Sequence, residues 1–213
     1  MNLPNALTLL RIFFVPLLVA ALVQKTWYIQ VWGVILTNDF LALSIFLAAA
    51  TTDLLDGYLA RKWQQITTVG MLLDPIADKL LVSAALISLV QVAVVPAWMT
   101  ILVVGREFAI SGLRSIAAAE GYVIKANDFG KAKLVTQVIA ISLAMLSIHW
   151  PWLHPYAILW MWGVIVTALL SAFVYFRKFW RKVDDETKAR RRQELLAKQM
   201  MQQRLRKRSS VVL

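Results

Sequence analysis

Four aspartates stand in two pairs at the ends of apolar stretches, Asp53 with Asp56 and Asp74 with Asp78. Carboxylates inside an apolar chain are costly and persist where they face a cavity and meet a cation, so their positions mark a working site. Asp53, Asp56, Gly57 and Ala60 recur at three- and four-residue steps, one face of a helix, and Asp74 and Asp78 form a second stripe. The loop from Lys62 to Val69 is short enough to make the two helices antiparallel neighbours, so the four carboxylates converge on one volume. Such a cluster must hold protons or cations. The chain has no cysteine, and an oxygen-only donor set suits Mg2+ or Mn2+. Two such ions roughly 4 Å apart can clamp a phosphoryl group in transfer. Gly57 and Ala60, on the same face, leave room for a ligand to approach the backbone. Small residues also serve close helix packing in membranes, but beside four carboxylates the ligand is the stronger reading.

The elements that position these residues follow from composition. Of 213 residues 60% are hydrophobic and the mean hydropathy is +0.65, too apolar for a soluble domain of this length. Leu134 to Phe176 contains no Asp, Glu, Lys or Arg, roughly twice the ~20 residues that one spanning helix needs. It reads as two helices split by His149 to Pro155. Leu80 to Val104 is likewise too long for one helix, and Pro96 supplies its break. The expected spans are Ala6–Val23, Phe40–Ala60, Gly70–Val92 and Ala97–Ala119, followed by the pair within 134–176. The fold class is therefore all-α, a polytopic integral membrane protein of six transmembrane helices.

Lys and Arg accumulate on the cytoplasmic side of membrane spans. Arg11, Arg61, Lys62, Lys125, Lys131, Lys133 and the long C-terminal segment fall on one side of six alternating helices, placing both termini in the cytoplasm. Trp27, Tyr28 and Trp32, and again Trp150, Trp152 and Tyr156, fall at the opposite ends, where amphipathic rings favour the interface. Asn2-Leu3-Pro4-Asn5 lacks the basic start of a cleavable signal, so the first helix is expected to stay. Arg177 to Leu213 carries thirteen Lys or Arg against four Asp or Glu, leaving +9 of the chain's +11 in this segment. The chain thus divides into a membrane domain, 1–180, and a basic cytoplasmic tail, 181–213. The tail is attracted to anionic headgroups, or is a solvated, partly helical extension. It lacks the aromatic interleaving of a nucleic-acid binder, and no nucleic acid is expected.

Arg106 and Arg114 are eight residues apart on the fourth helix, nearly one face, with Lys131 and Lys133 at the entry of the fifth. Arginine grips phosphate with two parallel bonds and lysine acts as a point charge, so this group suits an acceptor that carries its own phosphate. Topology alone would explain the lysines. It explains Arg106 poorly, because that residue falls near mid-membrane, and Glu107 is its candidate counter-ion, or that of Arg114. His149 and His154 lie away from the aspartates in an aromatic turn and read as interfacial side chains; Glu120 and Asp128 read as solvated loop residues.

From Asp53 to Asp78 the chain reads Asp-x2-Asp-Gly-x2-Ala-Arg-x8-Gly-x3-Asp-x3-Asp, all eight positions of the signature of the CDP-alcohol phosphatidyltransferase family, which it resembles. Asn5-Ala6-Leu7-Thr8 with Arg11, Gly105 to Arg114, and Gly130 to Lys133 resemble the bacterial phosphatidylglycerophosphate synthase branch, and the likeness covers about 2–176. It implies six helices around a polar cavity open to the cytosol, a homodimer in the bacterial cytoplasmic (inner) membrane, and CDP-diacylglycerol as phosphatidyl donor with CMP leaving. Carried over by position, Asp53, Asp56 and Asp74 hold one divalent cation, Asp53, Asp74 and Asp78 a second, and Asp78 is also the general base. Gly57, Ala60, Arg61, Thr67 and Gly70 fall to the CDP-diacylglycerol site, with Asn5 and Thr8 near its phosphates. Arg106, Arg114, Lys131 and Lys133 fall to the acceptor, glycerol 3-phosphate by resemblance. The alternatives are another acceptor on the same fold, as in cardiolipin or phosphatidylinositol phosphate synthases; a cation transporter, for which no second carboxylate set serves the far side; and a membrane-anchored adaptor working through its tail.

Overall fold

The computed structural model describes the backbone of residues 3–24, 28–31, 34–63, 68–119 and 129–209. Side chains are described for 6–24, 37–52, 76–119 and 134–177, and at scattered positions beyond. Six helices carry the chain: α1 Leu3–Val23, α2 Asn38–Trp63, α3 Thr68–Gln91, α4 Ala97–Ala119, α5 Phe129–His149 and α6 His154–Ser209. Each expected span is a helix, and Ala97–Ala119 has the expected ends. α2 runs on to Trp63 and α3 begins at Thr68, so the connection is shorter than the loop expected from Lys62 to Val69.

Each break has a local cause. α3 stops before Pro96, and the amides of Val94 and Val95 both reach back to the Leu89 carbonyl, at 3.0 and 3.3 Å, closing the last turn. That closure sets Ala93 at φ 61°, the left-handed region where a side chain is strained. Trp150 is extended (φ −117°, ψ 90°), Pro151 opens a single 3-10 turn to Leu153, and α6 follows at once. Between α1 and α2 the chain departs from the helical reading. Tyr28–Val31 (β1) and Val34–Thr37 (β2) pair antiparallel, Tyr28 opposite Thr37 and Val31 opposite Val34. Both segments are rich in β-branched and aromatic residues, and Trp32-Gly33 separates them, a hairpin signature. Asn38 Nδ2 donates to the Gln24 carbonyl and ties the two ends of this excursion together.

α1 packs against α2 and α3, α5 against α6 and α2, and α4 against α6 and α3. The core is built from Leu18, Phe46, Leu86, Leu89, Met99, Ile141, Met145 and Met161, interleaved with buried alanines 42, 49, 85, 140, 144, 157 and 168. The small residues let the helix backbones approach closely. Large apolar side chains face outward instead: Ile101 is 68% exposed, and Phe173 and Leu159 67% each. Among the described residues two segments are long and apolar enough to cross a membrane, Ala6–Val23 and Pro151–Arg181. α4 has the length but carries Arg106, Glu107 and Arg114 inside it. α6 passes residue 180, the expected end of the membrane domain, and runs unbroken to Ser209. Its extension carries an Asp184–Lys188 ion pair of 2.8 Å.

Candidate active site

A cavity of about 440 Å³ opens between α3, α4, α5 and α6, with Phe46 and Ala50 of α2 at its wall. Its floor is apolar, from Leu81, Val82, Val104, Ile110, Val138, Leu170 and Val174. Its polar groups are Asp78, Lys79 and Ser83 from α3, Arg106, Glu107, Ser111 and Arg114 from α4, Gln137 from α5, and Thr167, Ser171 and Tyr175 from α6. Asp78 is half-buried there. One carboxylate of the aspartate constellation and both arginines of the acceptor reading therefore share one space.

α6 holds the two arginines. Arg106 Nε donates to the Ala168 carbonyl at 3.1 Å, Nη2 to Ser171 Oγ at 2.5 Å, and Nη1 to Glu107 Oε1 at 3.4 Å. Glu107 thus pairs with Arg106, one of the two partners open to it from sequence, and the ion pair is largely buried, its side chains 9% and 21% exposed. Arg114 Nη2 donates to the Tyr175 hydroxyl at 2.5 Å, and its Cζ lies 4.9 Å from that ring's centroid. Ala168, Ser171 and Tyr175 are three, then four, residues apart, a single face of α6 aimed at the two arginines of α4. Arg106 is thereby held by backbone, hydroxyl and carboxylate, and Arg114 by a hydroxyl and a ring, which fixes each guanidinium plane.

Ser171, Tyr175 and Gln137 escaped the sequence reading. Each is a single polar residue in an uncharged run, and the available signal was that such residues inside an apolar helix need a partner. Thr8 and Arg11 are buried in α1, 1% and 0% exposed, so Arg11 belongs to the packed interior rather than only to the charge pattern at a membrane face.

Asp53, Asp56, Gly57, Ala60 and Arg61 lie within α2, Gly70 and Asp74 within α3, Lys131 and Lys133 in the first turns of α5, and Asn5 in the first turn of α1. The side chains of these residues, and Thr67 altogether, lie outside the described residues. Their backbone positions keep Asp53 and Asp56 near the end of α2 and Asp74 and Asp78 near the start of α3, on two helices that touch. Among the described residues no group of three or more His, Cys, Asp or Glu comes together.

The model of the CDP-alcohol phosphatidyltransferase family matches residues 1–174. The chain belongs to that family. A CDP-diacylglycerol--glycerol-3-phosphate 3-phosphatidyltransferase of Bacillus subtilis is 44% identical over 185 residues, 84% of this chain and 95% of the relative. An Arabidopsis thaliana protein of that name, number 2, is 38% identical over 196 residues, 84% of this chain and 80% of its own. A probable phosphatidylglycerophosphate synthase of Mycobacterium tuberculosis is 36% identical over 182 residues, 85% and 83% of the two chains. The family match ends at 174, so the CDP-alcohol phosphatidyltransferase region stops one residue short of Tyr175, and the rest of α6 lies beyond it.

Proposed function

We propose that the chain transfers the phosphatidyl group of CDP-diacylglycerol to glycerol 3-phosphate, giving phosphatidylglycerol phosphate and CMP. The carrying observation is the cavity itself, where Asp78 of α3 and the guanidinium groups of Arg106 and Arg114 of α4 line one volume. An acceptor hydroxyl attacks the phosphorus that bears diacylglycerol. A new P–O bond forms, the P–O bond to the CMP phosphate breaks, and Asp78 takes the hydroxyl proton. Arg114 and Arg106 hold the acceptor's own phosphate, with Lys131 and Lys133 adding charge at the entry. Fixed guanidinium planes lower the cost of ordering that acceptor beside the reacting phosphorus.

Asp53, Asp56, Asp74 and Asp78 would hold two divalent cations, Mg2+ or Mn2+. The fit rests on an oxygen-only donor set and on Asp78 standing in a cavity wall that contains no His or Cys among its lining residues. When bound, such ions neutralise the pyrophosphate and the charge developing on departing CMP. Gly57, Ala60, Arg61, Thr67 and Gly70 then receive the CDP portion of the donor, with Asn5 and Thr8 near its phosphates.

Outward Ile101, Leu159 and Phe173 need an apolar surrounding, which supports a membrane protein; the Lys and Arg gathered on one side of the alternating helices support a multi-pass protein of the bacterial cytoplasmic membrane with both termini in the cytoplasm. Residues 1–180 form its catalytic unit, working as a homodimer, and 181–213 a basic extension near anionic headgroups. The test is CMP release from CDP-diacylglycerol and glycerol 3-phosphate by purified protein in detergent. Release should stop with a chelator and return with Mg2+, and release indifferent to the chelator would remove the cations from the account.

A further inference from the structure

We infer that Gln137 binds ligand in this cavity, its side-chain amide donating to an oxygen of a glycerol phosphate. Gln137 lines the cavity from α5, is only 6% exposed, and its Nε2 has no hydrogen-bond partner among the described residues. Its cavity-lining neighbours on that helix, Leu134 and Val138, are apolar. An amide donor buried without a partner costs about 1–3 kcal/mol, a cost that a packing position would avoid by being Leu or Met. The buried hydroxyls of Thr100 and Ser142 are also unpartnered, but neither lines the cavity.

The inference rests on the proposed transferase reading, which says what enters the cavity. Arg106 and Arg114 supply the positive charge that a phosphate requires, whereas the amide of Gln137 is neutral and suits a hydroxyl or phosphoester oxygen. That chemistry has two sources here, the acceptor glycerol 3-phosphate and the glycerol phosphate unit of CDP-diacylglycerol.

Gln137→Met keeps the volume and removes the donor. With its unpaired amide gone, the variant should melt in detergent at the same temperature as the parent or higher, while the KM of one substrate rises about tenfold. A rise for glycerol 3-phosphate alone assigns the amide to the acceptor, and a rise for CDP-diacylglycerol alone assigns it to the donor. A lowered melting temperature, or two unchanged KM values, overturns the inference. Gln137→Asn, with the amide kept and its reach shortened, should raise the same KM as Gln137→Met, and a rise in the other one also overturns it. Arg114→Ala separates this failure from a wider one. If Arg114→Ala raises the KM for glycerol 3-phosphate and Gln137→Met moves neither KM, only the Gln137 assignment falls. If Arg114→Ala leaves that KM unchanged, the proposed use of the cavity falls first.

Discussion

The two ends of the helix bundle hold polar groups in opposite ways. At the end where α2 meets α3, Asp78, Arg106, Glu107 and Arg114 stand around an open volume of about 440 Å³. At the other end the histidines are exposed, and His149 stands among aromatic rings. His149 lies 5.1 Å from the Phe40 ring and 5.2 Å from Trp150, Phe40 stands edge-on to Trp150 at 5.6 Å, and His154 Nε2 is 3.1 Å from the Val94 carbonyl. Edge-to-face aromatic contacts are favourable in themselves, and none of these residues lines the cavity. A titratable residue in an apolar bundle is therefore not by itself a site: Arg114 lines a cavity and His149 does not.

The largest effect should come from Asp78→Asn, which removes the proposed proton acceptor and a proposed cation ligand. We expect kcat to fall about a thousandfold with the melting temperature nearly unchanged, measured by CMP release. Near-normal turnover would leave Asp78 no base role. Arg114→Lys keeps the charge but loses the planar fork against Tyr175. The KM for glycerol 3-phosphate should rise about tenfold, that for CDP-diacylglycerol hardly at all. Equal rises in both would blur the distinction between an acceptor side and a donor side.

At the ring-filled end the predicted changes are structural. His149→Ala should cost about 1 kcal/mol of stability through the lost ring contacts and leave both KM values as they are, as read by thermal melting and initial rates. A tenfold loss of activity there would break the contrast between the ends. Burial raises the pKa of the Asp39 carboxyl, partly opposed by His149. A raised folded-state pKa adds stability below the ordinary carboxylate range, and that stability is lost as pH rises through the folded value. Asp39→Asn should therefore flatten the stability profile above pH 4 without touching catalysis, as melting temperatures across pH would show. The smallest change is Ala93→Gly, which relieves the φ of 61° and should stabilise by up to about 1 kcal/mol.

Much of the helical plan was legible because uncharged runs and proline breaks are one-dimensional signals. Pro96 and Pro151 stand where the chain turns, and α4 has its expected ends. The hairpin is hard to read from sequence because its aromatic residues equally fit interfacial anchors, although its β-branched flanks around Trp32-Gly33 carry the other signal. On the site side, the spacing of Asp74 and Asp78 and the eight-residue step from Arg106 to Arg114 could be read directly. What fixes those arginines could not. Ser171 and Tyr175 meet them only because α4 packs against α6, a contact 61 to 65 residues away in sequence. Gln137 is one polar residue in an uncharged run and stands out only once its burial and the cavity are known.

The most direct test offers purified protein CDP-diacylglycerol and Mg2+ with glycerol 3-phosphate, inositol phosphate or phosphatidylglycerol in separate reactions and follows CMP. Release is expected with glycerol 3-phosphate only, abolished by Asp74→Asn. Release with another acceptor and none with glycerol 3-phosphate, or full release by Asp74→Asn, would contradict that expectation.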